Sequence, residues 1–209
     1  MEETLAHVCR RADSYKFLSE CYYLPDEELI QKVVDVAQTD QLFVELGNCI
    51  PSGLELELLK IDCTQLFVGP FKLLAPPYGS VYLEDNRIMA ESTIDVRKWY
   101  EKEALNVLIS GPPDHIAIEL EFMYYLVFRQ IQATKEGNSQ DIQLYQNKQK
   151  LFLCSHLARW LPEFTENVKK HAQTEFYRKL AGLTDIFLQK NLDVCQLFDT
   201  RQPSPVGER

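Results

Sequence analysis

The chain has 209 residues, of which 45 % are hydrophobic and 25 % charged, and its formal net charge is −9 at pH 7. This length is enough for one sizeable core, and no apolar run of about eighteen residues predicts a transmembrane helix, so membrane insertion is not expected. An acidic surface repels phosphate groups, which argues against nucleic acid as a partner. The first eleven residues contain two glutamates and no apolar stretch, so we expect no secretory signal and a cytoplasmic location.

The six cysteines argue against a metal or iron–sulfur cofactor. Their spacings are wide and irregular, and none forms a C-x-x-C pair. They are typical of small apolar core residues in a reducing compartment. No cofactor is therefore predicted.

Apolar residues at steps of three and four predict four helices at the start of the chain, over about residues 5–22, 26–37, 41–46 and 53–68. The stripe of the first helix consists of Leu5, Val8, Ala12, Tyr15, Leu18 and Tyr22. Asp26 begins the second helix and Gly47 ends the third. Ser52 and Glu55 form a capping box at the start of the fourth.

Residues 69–91 interrupt this pattern. Two glycines and three prolines between residues 69 and 79 exclude a regular helix there, and residues 79–83 are the nearest approach to a strand in the chain. The segment is nevertheless too apolar for a disordered linker, because it also carries Phe71, Leu73, Leu74, Tyr78, Val81 and Tyr82. Two interpretations stay open, a functional loop and a lid over the core.

Five further helices are predicted, over about residues 92–107, 114–136, 140–161, 163–172 and 174–197. Ser92 or Thr93 caps the first of them, Asp114 caps the second, and Pro162 ends the third. The fold class is therefore all-α, an orthogonal bundle of about nine helices with a long ordered loop or hinge near 69–91. We expect a single domain over 1–198 and a disordered tail over 199–209.

The residues best suited to chemistry follow the Gly-Pro-Pro turn at 111–113. Helical spacing places Asp114, His115, Glu119 and Phe122 close together at the start of one helix. They could form a polar site that binds a ligand or performs acid–base work. They could equally be a capping aspartate and a histidine held by a nearby carboxylate.

Sequence motifs of enzymes do not appear. A metal-dependent hydrolase using Asp114, His115 and Glu119 is one alternative, but these residues supply too few ligands and no H-E-x-x-H is present. Hydrolase and nucleotide-binding glycine motifs are also missing. A third alternative is a passive helical scaffold that binds a partner through the aromatic residues of 69–91. A binding protein is favoured over an enzyme.

Three blocks of sequence resemble the TorD/DmsD/NarJ family of redox-enzyme maturation chaperones, in its TorD-like branch. The first block runs from Leu66 to Pro70 and continues from Ala75 to Tyr82. The second, which is the most specific, is Pro113-Asp114-His115-Ile116 with Glu119, Leu120 and Phe122. The third runs from His156 to Pro162. Gly111-Pro112 departs from the family, in which many members have an acidic or polar residue before the conserved proline.

The resemblance implies a chaperone for the precursor of a molybdopterin oxidoreductase of the DMSO-reductase type. It implies binding of the twin-arginine signal peptide or of the apo-enzyme, cofactor insertion before export, and a monomer or a domain-swapped dimer. Asp114 and Glu119, next to Pro113, would meet the arginines. His115 would orient this acidic pair or tune the affinity with pH. The apolar wall would consist of Leu66, Phe67, Tyr78, Tyr82, Phe122 and Trp160.

Overall fold

A computed structural model describes residues 4–50, 56–69, 72–84, 87–105 and 111–199, with side chains to residue 192. Ten α-helices occupy these ranges. They are α1 (Leu5–Cys21), α2 (Glu27–Thr39), α3 (Val44–Gly47), α4 (Leu56–Cys63), α5 (Gly79–Leu83), α6 (Glu91–Lys102), α7 (Ile116–Glu136), α8 (Ser139–Ser155), α9 (Leu157–His171) and α10 (Glu175–Asp199). The described ranges contain no strand, only an isolated bridge between Tyr78 and His115. The all-α prediction is confirmed.

Helix α7 lies at the centre of the molecule because it is apolar on most of its circumference. It packs against α1 on one side and α8 on another, while α9 pairs with α10. One continuous core joins residues from Val8 in α1 to Leu188 in α10. The predicted stripe of α1 lies in this core except for Leu5, which is exposed.

Several helix ends follow the local sequence signals. The Asp26 carboxylate caps α2 by accepting a hydrogen bond from the Leu29 N–H at 2.8 Å. Gly137 ends α7 in the left-handed conformation with φ 70°, and the Asn138 side chain then caps α8. The predicted capping box at 51–55 lies outside the described residues.

Other helix ends differ from the prediction. Residues 79–83 form a short helix, α5, in the segment expected to be irregular, and this helix was absent from the predicted set of nine. Helix α6 begins at Glu91, so Ser92 is not its cap; instead Ser92 donates two hydrogen bonds to the Glu84 carboxylate. It ends at Lys102, five residues before the predicted end.

The break between α8 and α9 lies at His156 and not at Pro162. His156 leaves helical geometry with φ −121° and ψ −90°, whereas Pro162 lies inside α9 and is tolerated there. A proline removes one N–H donor but does not always end a helix. Buried His156 packs against the ring of Phe152, with 4.8 Å between the ring centroids.

The cysteines divide between core and surface. Cys21 and Cys63 are buried as expected, Cys9 and Cys49 are half-buried, and Cys154 is exposed. Burial raises the pKa of the Cys63 thiol to about 11. None of the helices in the described ranges is both long and apolar enough to span a membrane.

Candidate functional site

Asp114 joins the start of α7 to the start of α5. Its Oδ2 accepts a hydrogen bond from the Ser80 N–H at 2.7 Å, and its backbone oxygen accepts one from the Gly79 N–H at 2.9 Å. In the opposite direction, the Ile116 N–H donates to the Pro77 oxygen at 2.8 Å. These contacts bury Asp114 completely, with 0 % of it exposed.

The N-cap of α7 is His115, which corrects the prediction for Asp114. His115 has the extended backbone of a cap, with φ −70° and ψ 137°, and its Nδ1 accepts a hydrogen bond from the Ala117 N–H at 3.1 Å. An acceptor nitrogen requires a neutral imidazole. Burial lowers the pKa of His115 to about 4, although the charge of Asp114 acts in the opposite direction. Asp114 caps nothing in its own helix because its carboxylate is engaged by another element.

Glu119 lies one turn into α7 with only 1 % of its surface exposed. Burial raises the pKa of its carboxyl group well above the ordinary value, and the charge of Asp114 raises it further. The Trp160 indole, which is close by, lowers it in part. Neither Asp114 nor Glu119 forms an ion pair with a Lys or Arg among the described residues.

Three of the apolar residues predicted to line a groove, Phe67, Tyr82 and Trp160, come together around Phe164 in the core. Phe122 packs elsewhere, against Tyr100 and Phe152. Trp160 lies against Gly79 and stacks on Tyr82 with a centroid distance of 5.7 Å. The contacts continue from Trp160 through Phe164 to Phe67, at centroid distances of 5.5 and 5.9 Å. The fully buried members of the predicted set are Leu66, Phe67, Pro113, Phe122 and Trp160.

In this conformation these five residues therefore cannot contact a peptide, and the same holds for Asp114 and Glu119. Their part in binding a partner stays a prediction. Burial results from close contacts between α5, α7 and α9, which a linear sequence does not display. Only Tyr78, Tyr82 and His115 of the predicted set are half-buried.

Tyr23 was missed by the sequence analysis. Its ring stacks on His115 at a centroid distance of 5.9 Å and an interplanar angle of 7°, and Tyr78 meets His115 edge-on at 5.4 Å. Tyr23 is 38 % exposed, so this three-ring group, which includes the residue after Asp114, reaches the surface. Burial and the charge of Glu121 raise the pKa of Tyr23. Tyr23 lies just past the apolar stripe of α1, and nothing in the local sequence pattern predicts it as a site residue.

A groove of about 570 Å³ lies beside α4, where the helix widens into a π-helix over Thr64–Val68. Its lining residues are Glu57, Lys60, Ile61, Thr64, Gln65, Gly69, Lys72 and Leu74. Two large apolar side chains in this lining are exposed, Ile61 at 49 % and Leu74 at 40 %. A π-helical turn often marks a functional position.

A metal centre has no ligand set in the part of the chain that the structure describes, since no group of three or more His, Cys, Asp or Glu side chains could hold an ion there. Asp114 and Glu119 are near one another, while the His115 nitrogen Nδ1 is used by the helix cap. The metal-dependent hydrolase alternative therefore gains no support.

Comparison with known proteins identifies relatives along most of the chain. A family model described as "Nitrate reductase delta subunit" matches residues 35–166. The chaperone protein TorD of Aliivibrio fischeri is 29 % identical over 93 % of this chain and 97 % of its own length. TorD of Vibrio vulnificus is 26 % identical over 92 % of this chain and 98 % of its own length.

A solved structure shares the fold. It is a proposed redox enzyme maturation protein from Archaeoglobus fulgidus, 22 % identical in sequence, with a TM-score of 0.56 over 88 % of this chain and 93 % of that one. At this level of identity the likeness concerns architecture alone. It agrees with the all-α bundle described above.

Proposed function

This chain belongs to the nitrate reductase delta subunit family, and on that basis we propose that it is a chaperone for the precursor of a molybdopterin oxidoreductase of the DMSO-reductase type. It binds the twin-arginine signal peptide, or the apo form of the enzyme, in the cytoplasm. By holding the precursor it allows the cofactor to be inserted before export. The naming of the relatives as chaperones supports binding, rather than catalysis, as the activity.

The observation that carries the proposal is the pair of buried carboxyl groups, Asp114 and Glu119, which flank His115 at the start of α7. The His115 ring packs with those of Tyr23 and Tyr78. An isolated buried carboxylate is costly, and an arginine can offset that cost with two parallel hydrogen bonds. The aromatic rings offer flat faces on which a guanidinium can stack. A leader with paired arginines fits this combination of charge and shape.

The groove beside α4 is our candidate for the apolar stretch of the leader. Its open wall carries Ile61 and Leu74, and Leu74 is only four residues before Tyr78 in the same segment. The Leu74 and Ala75 N–H groups donate to the oxygens of Gln65 and Leu66, which fixes this segment against the π-helix. The segment from Leu74 to Tyr78 would thus connect the apolar subsite to the subsite for the arginines.

Calorimetric titration with synthetic twin-arginine leaders from molybdoenzymes of the same genome tests the proposal. We expect saturable binding to one leader, weakened when its arginines become lysines and weakened again as salt is raised. Failure of every leader to bind would overturn leader recognition. Titration with the apo-enzyme would then decide whether the chaperone recognises the mature part.

Two variants of His115 separate ring stacking from helix capping in the same titration. His115→Asn keeps a capping acceptor at the start of α7, whereas His115→Ala removes it. We expect both variants to bind the leader about tenfold more weakly, because both lose the ring that stacks on Tyr23. Only His115→Ala should lose stability, by about 1 kcal/mol. If His115→Asn bound the leader with unchanged affinity, the His115 ring would not be part of the binding site.

A further inference from the structure

We propose that residues 76–84, called the strap below, occupy the leader site in the free protein and are displaced when an arginine of the partner reaches Asp114. The strap includes α5 and covers the buried carboxylate directly. This inference rests on the proposed function, since it concerns regulation of the same site. The strap of the same chain would fill the leader site until a partner displaces it.

The strap holds Asp114 through the group that a guanidinium would replace. The Ser80 N–H donates to Asp114 Oδ2 at 2.7 Å, and both residues are completely buried. An incoming N–H donor must compete for this oxygen, because a carboxylate at zero exposure has no open approach. The backbone hydrogen bonds at Gly79 and Ile116 close the same contact on either side.

The closed contact leaves polar atoms unsatisfied. Two buried atoms at this junction, Ser80 Oγ and Asp114 Oδ1, have no hydrogen-bond partner in the described part of the chain. Buried polar atoms without partners oppose the closed state. One of the two, Asp114 Oδ1, is a carboxyl oxygen that could accept a hydrogen bond from an arginine. The closed strap therefore leaves unpaired a carboxyl oxygen to which a bound arginine could donate a hydrogen bond.

Displacement of the strap would also uncover an apolar wall. Gly79 lies so close to Trp160 that a Cβ atom at position 79 would be 2.9 Å from the indole nitrogen. Tyr82 stacks on the same indole, and behind it lies Phe164. The Glu84 carboxylate ties the far end of the strap to Ser92 in α6. Lifting the strap about this attachment would expose aromatic residues that are core in the free protein.

A matched pair of glycine variants tests the strap in the free protein. Gly79→Ala places a methyl group against the Trp160 indole, whereas Gly182→Ala in α10 meets nothing within 4 Å. By hydrogen exchange, we expect the backbone amides of 78–84 to exchange at least tenfold faster in Gly79→Ala than in the parent or in Gly182→Ala. Exchange at the parent rate in Gly79→Ala would overturn the proposal. This measurement requires no partner, so it stays decisive even if no leader binds.

The second measurement uses the parent protein with the dipeptide acetyl-Arg-Arg-amide as the probe and acetyl-Lys-Lys-amide as its control. We expect the arginine probe to accelerate exchange in 76–84, and Gly79→Ala to bind it at least threefold more tightly than Gly182→Ala does. Added protection of the strap, or equal affinity in the two variants, would show that the partner binds over a closed strap and would overturn the inference. The exchange measurement in the parent protein tests the proposal even if Gly79→Ala does not fold.

Discussion

At the residue scale, burial beside Asp114 makes the carboxyl group of Glu119 a pH-dependent element of stability. Its pKa is raised well above the ordinary 4.5 in the folded protein. At pH values above the ordinary pKa and below the raised one, the folded chain keeps a proton on Glu119 that the unfolded chain has lost. The free energy of unfolding of the parent therefore falls as pH rises through this range. The side chain introduced by Glu119→Gln has no proton to lose. The free energy of unfolding of this variant should therefore rise relative to that of the parent by up to about 1.4 kcal/mol per pH unit above pH 5.

Urea denaturation of parent and Glu119→Gln at pH 5, 6, 7 and 8 measures this difference. The pKa of His115 is lowered to about 4 in the folded protein, so below pH 6.5 this residue takes up a proton when the chain unfolds. The effect of His115 on the pH dependence of stability is the same in both proteins and cancels in the difference. The control is Glu136→Gln at the exposed end of α7, which should follow the parent at every pH. Parallel stability curves for parent and Glu119→Gln would contradict the raised pKa.

Residue identities at the site were accessible from sequence, but their roles were not. Spacing predicted Asp114, His115 and Glu119 at the start of one helix, and all three lie there, with the charge of Asp114 acting on both of the others. Their part in binding stays a prediction. Spacing could not show that the Asp114 carboxylate faces Ser80, thirty-four residues earlier in the chain, although Ser80 lies within the family block at 75–82. The cap consequently moves to His115, because the nearest carboxylate is already bound elsewhere.

At the element scale, Asp62 shows a cap that acts between distant helices. Its carboxylate, 1 % exposed in α4, accepts hydrogen bonds from the Gln173 and Thr174 N–H groups and from the Thr174 hydroxyl, just before α10 begins. Asp62→Ala leaves these donors without an acceptor, so we expect the free energy of unfolding to fall by about 3 kcal/mol in urea denaturation.

Asp62→Asn should lose about half as much as the alanine variant, because the amide keeps one acceptor oxygen. Asp35→Ala, on the exposed face of α2, is the control and should change stability by less than about 0.5 kcal/mol. A loss no larger than that of the control would mean that Asp62 does not hold α10.

Whether an element could be predicted depends on where its signals lie. Asp26 and Gly137 act on their own helices, and both ends were predicted correctly. The short α5 and the break at His156 depend on contacts with other helices, and neither could be read from local propensity. Pro162 gave a false stop, because one missing N–H was outweighed by the apolar face that α9 buries in the core.

At the scale of the whole molecule, helical periodicity was enough to predict the all-α class. It could not supply the order of packing, since the helices from the two ends of the chain meet each other. The hydroxyl of Tyr22, the residue just after α1, is hydrogen-bonded to that of Thr184 in α10 at 2.9 Å, and α1 packs along the central α7. Because the described residues from α1 to α10 share this core, we propose that they form one domain.

A single core predicts a single cooperative unfolding transition. Far-UV circular dichroism follows all the helices, whereas fluorescence follows Trp99 in α6 and Trp160 in α9, and we expect the two urea curves to coincide. Trp99→Phe leaves Trp160 as the only fluorescent tryptophan and should give the same midpoint once its own change in stability is subtracted. If the fluorescence transition preceded the dichroism transition, α6 and α9 would unfold separately from α1 and α7. Because local displacement of the strap breaks only a few contacts, it is compatible with coincident curves and would be seen in hydrogen exchange instead.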